Sequence, residues 1–401
     1  MENNRTIRVS GAGCCLIDRI YNNISFNSDV FRHYLGHKAG DGGLVPGKLE
    51  FEEPFEKFSG EKFPDTLEKI TEGRQADSSN IGGPCIVALI NAAQLTRDIS
   101  KVCFYGCHGD DEVGDMLIER LHKTPVDISH YRLEKNAETA STTVFSDPDY
   151  DDGNGERIFV NTIGASWNFL PEELDEEFFE SDITVFGATA IAPPLHVALD
   201  RLLQRAHQSS LTVVNTVFDS INERKNPDQR WPLGSSDESY RNIDVLVTDH
   251  EEALRLSGCD DIAKAMEFFK AQGVGAVAVT NGSKNVWLYS SGELFEPLPV
   301  MQIPVSALVS ECLKKGQKGD TTGCGDNFAG GIISSLIRQL HDSRTKIDFL
   351  EACKWGVVSG GFACFYIGGT YFEDMKDQKL TLLKPLYDAY NQQLEKESLL
   401  K

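Results

Sequence analysis

Short apolar segments alternate with helical segments along this chain, and this alternation constrains the fold more than any other feature. From residue 181 the apolar segments are rich in β-branched side chains, and they cover 183–186, 211–215, 245–247 and 274–280. Strands that alternate with helices form a parallel sheet with helices on both faces. The sequence therefore predicts an α/β fold with a doubly wound, mostly parallel sheet flanked by helices. Ligands of such a sheet bind at the carboxyl ends of its strands.

We expect a single domain, residues 1–401, with two additions to the sheet. Two apolar runs flank a long acidic turn within residues 142–162, which predicts a β-hairpin. Together with an extended run at 12–25, this hairpin predicts a small β lid. Residues 27–76 show neither helical nor strand periodicity, and their aromatic side chains indicate an insertion packed on the body rather than a free linker.

The charge of the chain excludes several kinds of partner. Lys and Arg number 39 against 61 Asp and Glu, a formal net charge of −22, and so acidic a surface repels nucleic acids and anionic lipids. No apolar run reaches the roughly 18 residues that span a bilayer, and no secretory signal is visible. We expect a cytoplasmic protein with reduced cysteines and a small-molecule substrate, and without nucleic-acid or membrane partners. The sequence leaves a homodimer open.

The string GDTTGCGDN, residues 319–327, carries the clearest chemistry, and a helix follows it directly. Gly323 and Gly325 permit a turn that points consecutive backbone N–H groups into one concavity. The N–H groups of residues 323 to 325, Cys324 included, then predict an anion hole for a transferring phosphoryl group, strengthened by the helix N-terminus. At its mouth, the carboxylate of Asp326 can accept the proton of an attacking hydroxyl. The alternative is that Asp326 is only an N-cap.

The same string resembles the C-terminal signature Asp-Thr-x-Gly-Ala-Gly-Asp of the ribokinase-like PfkB carbohydrate kinases. The chain matches this signature from Asp320 to Asp326, with Cys324 in place of the alanine, a small change that keeps the backbone N–H. The resemblance extends over residues 5–25 and 78–370. It implies a ribokinase-like fold, ATP as the phosphoryl donor, Mg²⁺ as a cofactor, and the last aspartate as the catalytic base.

Shorter segments agree with this family in order and spacing, and they imply the remaining site residues. The residues implied to bind the nucleotide are Thr280, Gly282, Ser283, Thr322, Gly356 and Gly368. Those implied to bind the substrate are Asp18, Gly82 and Gly83, and those implied for the metal are Asp249 and Glu252. Structural alternatives stay open for two of them, since Asp18 could simply end a strand and Glu252 could lie on a solvated helix face.

The sequence therefore predicts an ATP-dependent phosphotransferase that moves the γ-phosphoryl group to a hydroxyl of a sugar or sugar-like molecule. One alternative is a nucleoside kinase on the same scaffold, in which aromatic residues of the insertion stack a base; these residues are Phe31, Tyr34, Phe51 and Phe55. The other alternative is a non-catalytic ligand-binding relative. Loss of the catalytic aspartate would mark such a relative, and Asp326 is present.

Overall fold

The computed structural model describes residues 5–153, 155–317 and 319–397, and the elements below belong to these ranges. The strands are β1 (Ile7–Gly13), β2 (Leu16–Tyr21), β3 (Leu49–Phe51), β4 (Ser78–Gly82), β5 (Ser100–Gly109), β6 (Asp127–Glu134), β7 (Ser141–Asp147), β8 (Glu156–Thr162), β9 (Ile183–Gly187), β10 (Leu211–Asn215), β11 (Val245–Asp249), β12 (Ala276–Thr280), β13 (Val286–Ser290) and β14 (Leu298–Ile303). The helices are α1 (Asp29–Arg32), α2 (Glu52–Ser59), α3 (Phe63–Thr71), α4 (Pro84–Leu95), α5 (Glu112–Leu121), α6 (Tyr150–Gly153), α7 (Glu176–Phe179), α8 (Pro193–Val197), α9 (Leu199–Ala206), α10 (Ser220–Lys225), α11 (His250–Ser257), α12 (Ile262–Ala271), α13 (Ala307–Lys314), α14 (Cys324–His341), α15 (Phe349–Ala363) and α16 (Gln378–Lys396).

A nine-stranded sheet forms the centre of the fold, in the order β14-β13-β12-β11-β10-β9-β1-β5-β6. The seven strands from β12 to β6 are parallel, and β13 and β14 add an antiparallel edge. Every residue of β9 and β10 is buried, as expected of parallel strands that helices cover on both faces. The predicted α/β fold is confirmed.

Two apolar cores lie on the two faces of this sheet. One contains Ile86 of α4, Ile332 of α14 and Val358 of α15, and the other contains Leu202 of α9 and Met266 of α12. None of the helices within the described ranges combines the length and apolarity needed to cross a bilayer.

Helix α4 begins at Pro84, directly after the glycine pair of residues 82 and 83. Gly82 is the last residue of β4, and Gly83 is the N-cap of α4 with a φ of 105°, a value that L side chains rarely adopt. The two glycines therefore turn the chain from the second sheet into the helix.

The second sheet has five strands in the order β3-β8-β7-β2-β4, and it contains the predicted lid. Strands β7 and β8 pair antiparallel, which confirms the hairpin; one of its predicted residues, Asn154, lies outside the described residues. The other predicted lid segment, 12–25, is divided between the two sheets, because residues up to Gly13 belong to β1 and only β2 joins the lid. Strands β3 and β4 were not expected.

The insertion at 27–76 contains a strand and three helices, and it contacts both the lid and the body, the latter through the Lys48–Glu251 ion pair. Its strand β3 pairs with β8, and its helices carry aromatic side chains into an apolar core under the lid sheet. Phe31, Tyr34 and Phe55 are buried in this core, while Phe51 packs edge-on against Trp167. None of these four rings lines the cavity described below, so the predicted base-stacking role loses its support.

Candidate active site

The glycine turn before α14 is held by the segment that follows α15. Gly323 has a φ of 73°, and a Cβ on it would lie 2.5 Å from the Cα of Gly369, so only glycine fits. The N–H of Asp320 donates to the carbonyl oxygen of Tyr366 at 3.0 Å. The N–H of Gly368 donates in return to the Asp320 carboxylate at 3.2 Å. Contacts outside the motif therefore fix the shape of the turn.

Two backbone N–H groups of this turn are available to a ligand. In the described part of the chain, the N–H groups of Gly323 and Gly325 make no backbone hydrogen bond, whereas that of Cys324 donates to the carbonyl oxygen of Thr321 at 3.3 Å. A Cβ on Gly325 would meet no atom within 4 Å, so the space beside it is open. Free N–H groups at the N-terminus of a long helix favour an anion. The geometry is consistent with the predicted anion hole, with Gly323 and Gly325 as its donors.

Asp326 is the third residue of α14 and not its N-cap, so the capping alternative does not describe it. The N-cap is Gly323, and no side chain caps this helix. Asp326 lines the cavity in front of the turn, and burial raises the pKa of its carboxyl to about 7. A carboxylate with this pKa is matched to the work of a general base near neutral pH.

A cavity of about 260 Å³ separates the lid from the large sheet. Its wall includes the last residues of β10, β11 and β12, which agrees with the position expected for a ligand of a parallel sheet. The predicted site residues that line it are Asp18, Gly83, Asp249, Glu252, Thr280, Thr322, Gly323, Gly325 and Asp326. These residues come from distant parts of the chain, and the fold brings them to one cavity.

The remaining predicted residues lie outside this lining; they are Gly82, Gly282, Ser283, Cys324, Gly356 and Gly368. Gly282 and Ser283 lie in an exposed loop after β12. Gly356 is buried where α15 meets α14, and a Cβ on it would come within 3.0 Å of the Phe328 ring. Close helix packing explains this glycine, and its position gives no support to the predicted contact with the nucleotide.

Asp18 faces the cavity from the middle of β2, so it does not simply end a strand. A Cβ on the neighbouring Gly82 would lie 2.3 Å from the Asp18 carboxylate, which shows why a glycine stands there. Burial, followed by the nearby charges of Asp326 and Asp320, raises the pKa of Asp18 to about 8. A hydrogen bond from Thr142 opposes this rise.

Asp249 and Glu252 form a reciprocal capping box at the start of α11. The N–H of Glu252 donates to Asp249 Oδ1 at 2.8 Å, and the N–H of Asp249 donates to Glu252 Oε2 at 3.3 Å. Glu252 is buried, which rules out the solvated helix face, and burial raises its pKa to about 8. Among the described residues, no group of three or more His, Cys, Asp or Glu side chains could hold a metal ion. The pair suits Mg²⁺, which binds through one or two carboxylates together with substrate phosphates and water.

Arg157 on β8 is a site residue that the sequence reasoning missed. Its Nη1 donates to Thr322 Oγ1 at 3.2 Å, so a lid side chain reaches the glycine turn. Its positive charge also opposes the rise in the pKa of Asp18 and Asp320. The available signal was the alternation of side chains along β8, which puts Arg157 on the same face as Phe159 and Asn161. Phe159 and Asn161 line the cavity, whereas Ile158 and Val160 enter the lid core.

Lys379 on α16 is a second residue that the sequence reasoning missed. It is buried, its Nζ donates to Asn327 Oδ1 at 3.0 Å, and burial lowers its pKa to about 7. Asn327 in turn donates from Nδ2 to the carbonyl oxygen of Gly323 at 2.9 Å. These two hydrogen bonds connect α16 to the glycine turn through Asn327 and so stabilise the turn. A lysine in an amphipathic helix is normally exposed, so the sequence held no signal for it.

Transfer of a phosphoryl group to a small molecule is the chemistry that this arrangement suits, since free N–H groups and a carboxylate of raised pKa line one cavity and a lid arginine reaches Thr322 in its lining. The class of protein is therefore a small-molecule kinase. Residues 68–375 match the model of the pfkB family carbohydrate kinases, and the chain belongs to this family. Kinases of this family use ATP, so the predicted class of enzyme, an ATP-dependent small-molecule kinase, is confirmed.

Similarity to individual proteins agrees with this assignment. A fructokinase from Vibrio alginolyticus is 26% identical over 287 residues, which cover 70% of this chain and 84% of that protein. An adenosine kinase from Sinorhizobium meliloti has the same fold, with a TM-score of 0.68 at 18% identity, covering 94% of this chain and 99% of that one. A protein described as a ribokinase II from E. coli, in complex with ATP and Mg²⁺, gives a TM-score of 0.62 at 17% identity, with coverage of 94% and 99%.

Proposed function

We propose that this protein transfers the γ-phosphoryl group of ATP to a hydroxyl of a sugar or sugar-like molecule, with Asp326 as the base. The observation that carries the proposal is the position of Asp326. It is the third residue of α14, it follows the free N–H of Gly325, and it lines the cavity under the lid. A screen of acceptor-dependent ADP formation against sugars and nucleosides tests it. ADP formation that never depends on an acceptor would contradict it.

In the mechanism that we propose, Asp326 accepts the proton of the acceptor hydroxyl as the hydroxyl oxygen attacks. The N–H groups of Gly323 and Gly325 stabilise the negative charge that develops on the transferring group. Arg157, whose guanidinium donates to Thr322 beside the turn, adds a positive charge from the lid side. Closure of the lid over the acceptor excludes water and so limits hydrolysis of ATP.

The wall opposite the lid is the proposed place for the nucleotide phosphates and Mg²⁺. Asp249 and Glu252 would hold the ion through its water ligands, and Thr280 and Thr322 line the same cavity. The bound ion neutralises phosphate charge. We place the adenine near the exposed 282–283 loop, which agrees with the position of this loop after the carboxyl end of β12.

The lid wall is the proposed place for the acceptor. Asp18, Thr142 and Asn161 offer polar groups there, and Thr142 donates to Asn161 Oδ1 at 2.7 Å. Several hydrogen-bonding groups in a compact cavity favour a polyhydroxylated molecule, and the burial of the insertion aromatics removes the sequence argument for a base. A sugar is therefore the first acceptor class, and nucleosides remain in the screen as the second.

Replacing Asp18 with asparagine is expected to raise the KM for the acceptor by about 10- to 100-fold, the range for a buried polar group that loses its hydrogen-bond partner. The KM for ATP should change by less than about threefold, because Asp18 is not among the residues proposed to bind the phosphates or Mg²⁺. Initial-rate kinetics on both substrates measure the two effects. Equal changes in both constants would contradict the assignment of Asp18 to the acceptor.

The pH dependence of kcat/KM is expected to show an acidic limb near pH 7. Burial raises the pKa of Asp326 to about 7, and only its deprotonated form accepts a proton, so activity is lost as pH falls through this value. Asp18, with a pKa of about 8, is the neighbouring carboxyl group that must be excluded as the origin of this limb. The Asp18→Asn variant should therefore keep the limb near pH 7. A flat profile in that variant between about pH 5 and 8 would contradict Asp326 as the base.

A further inference from the structure

Two cysteines face each other beside the anion hole. Cys324 is the first residue of α14, Cys364 is the C-cap of α15, and their Sγ atoms are 3.4 Å apart. Neither thiol lines the cavity, and the family signature has an alanine at the place of Cys324, so the anion hole does not need this sulfur. All ten cysteines are free, and within the described ranges Cys324 and Cys364 are the pair whose sulfurs form a hydrogen bond.

The surroundings of the pair favour reaction. Both residues are half-buried, whereas six of the ten cysteines are buried. A hydrogen bond from Cys324 and the positive charge of Arg157 lower the pKa of Cys364, which makes it the better nucleophile of the two. The Cys324 pKa is raised, first by the same hydrogen bond and then by burial. One thiol is thus prepared to react and the other lies ready to resolve the product.

The pair is also mechanically joined to the turn. The carbonyl oxygen of Cys364 accepts the N–H of Gly319 at 2.8 Å, at the start of the motif. Cys324 stands between Gly323 and Gly325, the two residues with free N–H groups. Any displacement of either sulfur that moves the backbone therefore moves the anion hole.

We propose that Cys324 and Cys364 form a site of reversible oxidative modification, at which hydrogen peroxide closes a disulfide across the anion hole and stops phosphoryl transfer. The activity consequence rests on the function proposed above, whereas the formation of the bond does not.

The chemistry proceeds in two balanced steps. The Cys364 thiolate attacks one peroxide oxygen, the O–O bond breaks, and one water leaves after protonation, so that Cys364 becomes a sulfenic acid. The Cys324 thiol then attacks the sulfenic sulfur; the S–S bond forms, the S–O bond breaks, and the hydroxyl leaves as a second water with the thiol proton. The two thiols together lose two electrons to the peroxide. A dithiol such as dithiothreitol reverses the bond by exchange.

Bond formation must shorten the Sγ–Sγ distance from 3.4 Å to about 2.0 Å. The movement falls on the first residue of α14 and on the C-cap of α15, where both backbones are tied to the turn. A displacement of about 1 Å in a site that positions reacting groups lowers turnover by about 100-fold. We expect oxidation to lower turnover by at least about 10-fold, the lower side of this effect.

Peptide mapping tests the bond itself, without any assumption about activity. Trypsin should release Cys324 in the peptide 319–338 and Cys364 in the peptide 355–376, and each of these peptides contains a single cysteine. After peroxide treatment of the reduced protein and alkylation of free thiols, the two peptides should appear as one disulfide-linked species. The species should disappear after dithiothreitol. Its absence, with both cysteines alkylated or over-oxidised, would overturn the proposal.

Activity measured on the same samples tests the consequence. The wild-type enzyme should lose at least about 10-fold in turnover with peroxide and regain it with dithiothreitol. The Cys364→Ala and Cys364→Ser variants should have normal basal turnover and resist peroxide. Cys312→Ser, which removes another half-buried cysteine, should stay as sensitive as the wild type.

A linked peptide with unchanged turnover would overturn the regulatory role, and equal sensitivity of the Cys364 variants would assign the loss to other residues. An absence of kinase activity in the reduced enzyme would instead contradict the proposed function and leave the peptide result intact.

Discussion

Replacing Asp326 with asparagine is expected to lower turnover by about 100- to 10,000-fold, the range for loss of a general base. Asparagine keeps the size and shape of the side chain but cannot accept the proton of the acceptor hydroxyl. The affinity for ATP should change little, and it should tighten if repulsion between carboxylate and phosphate is removed. Turnover and nucleotide binding measured on the same variant separate these effects.

A purely structural role for Asp326 predicts a different result. No side chain caps α14, so the substitution removes no cap and should leave the helix intact. Turnover within about threefold of wild type, on the order of 0.7 kcal/mol in the barrier, would therefore contradict the role of Asp326 as base. Asp342→Asn at the other end of the same helix is the matched control, and it should retain near-normal turnover.

Replacing Arg157 with alanine is expected to lower turnover by about 100- to 1,000-fold, the range for loss of one donor to a developing negative charge. The side chain already donates to Thr322 at the glycine turn, and Thr322 lines a cavity whose carboxylates would otherwise repel phosphate. Arg157→Lys should recover only part of the loss, since an ammonium cannot reproduce the planar fork of a guanidinium. Steady-state turnover at saturating substrates measures both variants.

The matched control for Arg157 is another arginine of the lid. Arg19 lies next to Asp18 on β2, and alternation along a strand places it on the opposite face of the lid sheet. Arg19→Ala should therefore change turnover by less than about threefold. A comparable loss in both variants would assign the effect to the stability of the lid and contradict the proposed contact with the phosphoryl group.

Local patterns predicted the features that depend on local physics. The strands β9 to β12 could be recognised because burial on both faces requires continuous apolar runs, and those runs stand out between helices. The glycine turn could be recognised because its conformation requires glycine at 323. The capping box of Asp249 and Glu252 was also visible in the sequence as an acidic pair at the right spacing, although its structural role was not deduced.

Features that depend on contacts between distant segments could not be predicted in this way. Arg157 becomes a site residue only because the lid hairpin lies against the turn before α14, and no spacing in the chain encodes that contact. Lys379 is buried only because Asn327 offers it an acceptor. The partners of the insertion were hidden for the same reason, since its aromatics pack against side chains of β7 and β8. Gly356 shows a different limit, because a glycine required by helix packing and a glycine that faces a ligand look alike in a sequence.

Following the fate of the γ-phosphoryl group tests the central claim most directly. The enzyme is incubated in ordinary water with Mg²⁺, an acceptor identified by the screen, and ATP that carries ¹⁸O in its γ-phosphoryl group. Mass spectrometry then follows the label in the acceptor and in free phosphate. We predict that the wild-type enzyme places the labelled phosphoryl group on the acceptor, and that Asp326→Asn does so at a rate lower by at least about 100-fold. Label found only in free phosphate, or equal transfer by the two enzymes, would contradict the account.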